Sequence, residues 1–136
     1  MKAKIAIFLF ALMAGTAVFA QSGKSVEVLY FKANLACCKA KSCNALEADL
    51  QTIIQKNFPD GNIIFREVKL AEDSNKVLVE KYKAQSQTVV LVKIKKKKEM
   101  NSDISDIIKK FVKDQNKEEL EIALVESINA FSKKKK

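Results

Sequence analysis

The chain contains no histidine. That absence excludes mixed Cys/His zinc sites, Ser-His-Asp triads and Cys-His nucleophile pairs. Glycine is nearly as scarce, with only Gly15, Gly23 and Gly61. No glycine-rich loop can be built to cradle phosphate, so flavin or nicotinamide binding by this chain alone has no support. Proline occurs once, at Pro59, and there are no internal repeats or Gly/Ser linkers. Cysteine is limited to Cys37, Cys38 and Cys43, an odd number confined to one short stretch. A bridge among them would close a very small loop and constrain the unfolded chain little. Cysteines of a disulfide-stapled secreted domain would be spread through the sequence. Local redox or metal chemistry is the better expectation.

At 136 residues the chain has room for one domain. Residues 1–20 read as a secretory signal peptide: Lys2 and Lys4 precede an apolar run over residues 5–19, and Val18 and Ala20 occupy the −3 and −1 positions of a small-residue cleavage pattern. The alternative, an uncleaved anchor, needs roughly 20 apolar residues to span a bilayer. The run is shorter than that and no second one follows. Export, most simply to a bacterial periplasm, is therefore expected, leaving a mature domain over residues 21–136 with no stable membrane span. Without Lys2 and Lys4 there remain 23 basic residues against 16 acidic, a formal charge of +7. No aromatic-interleaved basic motif accompanies that excess, so nucleic acid is not an expected partner. Much of the excess sits at residues 95–98 and 133–136, as expected of a solvated strand end and a basic tail.

Hydrophobic periodicity gives the order of elements. Residues 26–32 (VEVLYFK) read as a largely buried strand, with one of Tyr30 and Phe31 facing the core and the other a helix layer. Leu46, Leu50, Ile53, Ile54 and Phe58 recur at helical spacing until Pro59-Asp60-Gly61 turns the chain. Residues 62–70 form a second strand candidate. Asp73 stands as an N-cap before Val77, Leu78 and Tyr82, and residues 88–95 (TVVLVKIK) carry the strongest strand signal. Residues 96–100 could return as a hairpin, suited by their lysines to an edge. Residues 102–112 read as a short helix. The final helix opens with a capping box, Asn116 and Glu119, ahead of Leu120, Ala123, Leu124, Ile128 and Phe131. Strands alternating with helices predict a βαβ unit followed by a hairpin and a helix: a three-layer α/β/α sandwich on a mixed four-stranded sheet.

The cysteine stretch lies between the first strand and the first helix. Backbone N–H groups and the dipole at a helix N-terminus favour thiolate, and Lys39 and Lys41 add positive charge. Cys43 is the leading functional thiol by position, against the alternative of an ordinary packing residue. Cys38, beside Lys39, is the better-placed nucleophile, and Cys37 could substitute for it. A Cys37–Cys38 vicinal bridge is strained and ranks last. Three thiolates could instead wrap a soft ion such as Cu(I) or an arsenite-type centre. Glu47 as a fourth ligand does not give a persuasive zinc spacing.

The pattern resembles the thioredoxin-like superfamily over about residues 26–131. VEVLYFKANLACCKAKSC and EKYKAQSQTVVLV carry the resemblance. More narrowly, YFKANLACCKAKSCNALE is similar to small exported thioredoxin-like proteins of an arsenic-operon-associated family, some labelled nitrophenyl-compound nitroreductase subunits. The resemblance implies thiol–disulfide exchange with protein or small-molecule thiols and disulfides, no cofactor, and catalytic residues Cys38, Cys43 and Cys37. It also implies a buried acid beneath the thiols, for which Glu27 and Glu67 are both open. Two departures stand out. The family's Cys-x-x-Cys is absent, with Ala40 three residues before Cys43. The family's cis-proline before the third strand is replaced by Gln87, within a substrate-positioning loop of Ser86, Gln87 and Thr88. A cis bond there would cost roughly 2.5–4 kcal/mol, so a trans peptide is expected, and a loop without this proline is open to metal binding. A non-catalytic module that binds a soft metal ion or a protein partner is thus the alternative reading.

Overall fold

β1 (Val26–Lys32) is the strand on which the sheet is assembled. It pairs in parallel with β2 (Ile63–Lys69) and antiparallel with β3 (Thr88–Lys95), which pairs antiparallel with β4 (Lys98–Asp103). The resulting order is β2-β1-β3-β4. The helices are α1 (Cys38–Asn57), α2 (Lys76–Tyr82), α3 (Ser105–Asp114) and α4 (Lys117–Lys133), with a single 3₁₀ turn at Asp73–Asn75. This computed structural model describes residues 25–34 and 38–134, with side chains described from residue 41 onward in the second stretch. The expected signal peptide and Cys37 lie outside the described residues.

Alternation along β1 divides the core. Val26, Val28 and Tyr30 face α1, α3 and α4, packing with Leu46, Leu50, Ile108, Leu124 and Ile128. Leu29 and Phe31 face the opposite way, onto Val68, Val90 and Val92 beneath α2, where Leu78, Val79 and Tyr82 cover them. The expected three-layer α/β/α sandwich on a mixed four-stranded sheet is the architecture adopted. Tyr30 and Phe31 take opposite layers, and both are fully buried. Tyr30 stacks on Phe65, and Phe31 meets Tyr82 edge-on.

Four local expectations are corrected. The helix expected over residues 102–112 begins at Ser105, because Ser102 pairs with Leu91 in β4. β4 (KEMNSD) has no strand-like composition; the hairpin holds it in place, and as an edge strand it needs no apolar outer face. Asp73 does not cap α2 but opens the 3₁₀ turn, and the N-cap position is Asn75, whose side chain donates instead to the Lys69 carbonyl and to Glu72. Val77, expected on the buried face, is 75% exposed. The capping box is half formed. Asn116 accepts from the Glu119 N–H, while the Glu119 carboxylate pairs with Lys110 instead of returning to Asn116.

The β3–β4 hairpin has a two-residue turn, Lys96 and Lys97, at φ 49° and 66°. Both positions are left-handed, the pattern that makes Asn-Gly the preferred pair in such turns. A side chain with a Cβ costs about 1–2 kcal/mol in that region. The double substitution Lys96→Asn, Lys97→Gly is expected to raise unfolding stability by about 1–2 kcal/mol. Urea titration would register this as a higher midpoint with an unchanged slope.

Candidate functional site

Cys43 lies in the second turn of α1, because the helix already begins at Cys38. The expected placement at a helix N-terminus therefore holds for Cys38 and not for Cys43, which lies beyond the first turn where the dipole acts most. Cys43 is a free thiol and only 2% exposed, more deeply set than a half-buried helix residue. Five residues along an α-helix separate Cα atoms by about 8.7 Å. A disulfide needs them within about 7 Å. Cys38 and Cys43 can therefore bridge only if the first turn of α1 opens.

Across from Cys43 runs the loop between α2 and β3. Ser86 Oγ lies 4.0 Å from the Cys43 sulfur, and Gln87 Nε2 donates toward the same sulfur at 3.8 Å. The loop is a tight turn: the Thr88 N–H donates to the Gln85 carbonyl and the Gln85 N–H to the Thr88 hydroxyl. Gln87 sits at φ 66°, and its N–H is held by the Phe31 carbonyl at 2.8 Å. The expected trans peptide is found, with no cis bond among the described residues. Of the residues expected in the site, Cys43, Ser86 and Gln87 converge on one sulfur, and Thr88 fixes the turn that presents them. Cys38 enters α1 by its backbone, and Cys37 is outside the described residues.

Beneath Cys43 lies a polar cluster of which only an acid, Glu27 or Glu67, was expected. Tyr30 Oη donates to the Cys43 carbonyl at 3.2 Å, tying β1 to the start of α1. Two residues on, Lys32 Nζ donates to Glu47 at 2.7 Å and lies 3.9 Å from Glu67. Glu47 follows Cys43 by one helical turn, and Glu67 is the β2 residue opposite Tyr30. Glu67 Oε1 is buried without a hydrogen-bond partner among the described residues. Burial, then the hydrogen bond and charge of Glu47, raise the Glu67 carboxyl above its ordinary value. Burial also pushes Glu47 upward, but the Lys32 hydrogen bond, together with the bond to Glu67, brings it below its ordinary value. Burial first, then the Cys43 sulfur and the two carboxylates, push the Tyr30 hydroxyl well above the usual tyrosine range. Of Glu27 and Glu67, the acid in this cluster is Glu67. Its sequence signals were faint: Glu47 stands four residues after Cys43, but the Tyr30–Glu67 pairing depends on register.

Beside the loop opens a cleft of about 380 Å³, bounded by Lys83, Ser86, Gln87, Asp103, Ser105 and Lys109. Its walls are mostly polar side chains. It borders the outer side of the residues that touch Cys43, so a molecule in it would lie against Ser86 and Gln87.

No family model and no curated protein matches the chain. Among solved structures, one described as "Structure of a malarial protein" is similar at 23% identity, covering 66% of this chain and 96% of that one. Its TM-score is 0.38.

The carboxylate pair gives stability a pH dependence. Glu67 binds its proton more tightly folded than unfolded, so its ionisation weakens the fold as pH rises above the ordinary value of 4.5. Glu67→Gln removes that cost and gives Glu47 an amide donor. The variant is expected to be more stable than the parent by about 1 kcal/mol at pH 7. The advantage should close as pH falls through 4.5, as read from thermal melts at a series of pH values.

Proposed function

We propose that this chain is an exported thioredoxin-like protein that performs thiol–disulfide exchange, with Cys43 as its buried thiol. The observation that carries this reading is the seating of Ser86 and Gln87 on the Cys43 sulfur. Gln87 is the residue that the thioredoxin resemblance aligns with the loop facing the cysteines, and it reaches the sulfur across 44 residues of sequence. A second support is the sheet order with β3 antiparallel to β1, which brings the start of β3 to the end of β1 that leads into the cysteines.

In the reducing direction, the thiolate of Cys38 or Cys37 attacks a substrate disulfide and expels one substrate thiolate. Cys43, once deprotonated, attacks the resulting mixed disulfide and releases the second. The substrate gains two electrons and two protons, and the cysteine stretch becomes a disulfide. The oxidising direction is the reverse. Glu47, one helical turn after Cys43, is the acid this reading assigns to the Cys43 proton. Closure with Cys38 requires the first turn of α1 to open, so oxidation in this reading is coupled to local helix loss.

A second reading rests on the same geometry. A deeply buried Cys43 and an intact helix from Cys38 also suit a non-catalytic module that holds a soft metal ion or a partner through this loop. Turnover separates the two, since insulin-disulfide reduction belongs only to the first, and tight Cu(I) binding without turnover to the second.

The direct test is intact-mass analysis after thiol alkylation across defined glutathione buffers. The parent is expected to show a reversible two-electron transition, with peptides assigning the bridge to Cys43 and either Cys38 or Cys37. Cys43→Ser should lose it entirely; a full redox couple in that variant refutes the assignment. Hydrogen exchange on the oxidised form should show lost protection confined to the first turn of α1.

A further inference from the structure

The excess positive charge is concentrated at the end of the sheet remote from Cys43. β1 starts at this end and finishes at Lys32, about 20 Å away along the strand. Lys93, only 9% exposed, crosses from β3 and donates from Nζ to the Ser132 carbonyl at 2.6 Å. That contact anchors the C-terminal end of α4 against β3, three residues before the hairpin turn. Lys133 and Lys134 thus lie at the same end of the sheet as Lys95, Lys96, Lys97 and Lys98. Among the described residues, none of the four hairpin lysines forms an ion pair. Among the described residues the acids at this end are Glu27, Asp60 and Glu99; Glu27 is not free, and Glu99 is bound to Lys81 and Tyr82. Ile94, on the hairpin, is 57% exposed.

From this juxtaposition we infer that the lysine end is a docking surface for anionic phospholipid. A patch of several lysines beside an exposed aliphatic side chain fits a negatively charged bilayer, where each lysine near the surface strengthens binding about fivefold. Ile94 favours a bilayer over a soluble acidic partner, because an aliphatic side chain next to lysines can enter the headgroup–acyl boundary while they meet the phosphates. Docked in this way, the protein holds the Cys43 site and its adjoining cleft away from the lipid. The inference is independent of the chemistry proposed for Cys43.

The test is flotation of the full chain with vesicles of phosphatidylcholine alone and with about 30% phosphatidylglycerol. The apolar run contributes alike to both compositions, so their ratio isolates the charge contribution. The expected result is at least tenfold stronger partitioning to the anionic vesicles, falling as salt is raised. The variant K95Q/K96Q/K97Q/K98Q should lose that preference by at least tenfold. A matched variant, K41Q/K76Q/K83Q/K109Q, removes the same charge toward the Cys43 end and should retain it. Circular dichroism checks that both remain folded. No preference in the parent, an undiminished preference in the hairpin variant, or equal loss in the two variants overturns the inference. So does saturable binding to soluble polyglutamate without vesicle preference, which would assign the surface to an acidic protein.

Discussion

The constraint on which the structure depends is the burial of β1 on both faces. From Val28 to Phe31 every side chain is at most 2% exposed, and each large apolar one contributes about 1.5–3 kcal/mol by leaving water. A strand enclosed this way must be central, and its alternation assigns partners: Val28 and Tyr30 to α1 and α4, Leu29 and Phe31 to α2. β2 and β3 take their registers from it. A one-residue slip would drive Lys32 and Glu27 into the apolar layers, so the register is strongly specified. The same strand ends in Tyr30 and Lys32, the two residues that reach beneath Cys43. Core and candidate site are thus one construction, and the polar cluster is positioned by the most rigid element available.

Much of this was readable from residue spacing. The β1 pattern, the i, i+4 series from Leu46 to Ile54, and the apolar run at Val89–Val92 each state their period plainly. The loop of Ser86 and Gln87 was singled out by the family resemblance alone, because spacing does not bring residues so distant in sequence together. What was illegible has physical causes. β4 was expected to end at residue 100; beyond Met100 it is polar, and residues 101–103 are strand because β3 offers them a hairpin partner. Asp73 has the chemistry of an N-cap, but a 3₁₀ turn intervenes and Asn75 takes the position. The Lys32–Glu47–Glu67 cluster draws on a strand, a helix and a second strand, so no local window contains its signal.

The start of α1 decides how the cysteines relate to one another. With the helix already formed at Cys38, Cys43 is carried onto a buried face against Tyr30, Ser86 and Gln87. The energy that holds Cys43 there is the energy that opposes its bridging to Cys38. A family Cys-x-x-Cys, at three-residue spacing, would place both thiols near one side of the first turn. Spacing of five moves them to different sides. Any exchange through Cys43 is therefore linked to the stability of a single helical turn, and helix ends are the low-stability parts of a fold.

The lysine-rich end and Cys43 lie at opposite ends of the same strands, and Lys93 ties α4 to β3 at the lysine-rich end. A lysine only 9% exposed is costly unless its ammonium finds acceptors. It finds one in the Ser132 carbonyl, at the end of α4 where unpaired carbonyls and the negative end of the helix dipole accumulate. Among the described residues that bond is the polar tie between the α4 terminus and β3. With it, repulsion among the gathered lysines is sustained by the fold, a cost that a purely structural design would avoid by dispersing them. The hairpin compounds that cost by placing Lys96 and Lys97 in left-handed conformations that asparagine and glycine adopt more easily. Lysine at both positions makes the turn poorer as a turn and richer as a charged surface, which is the trade expected where the surface has a counterpart.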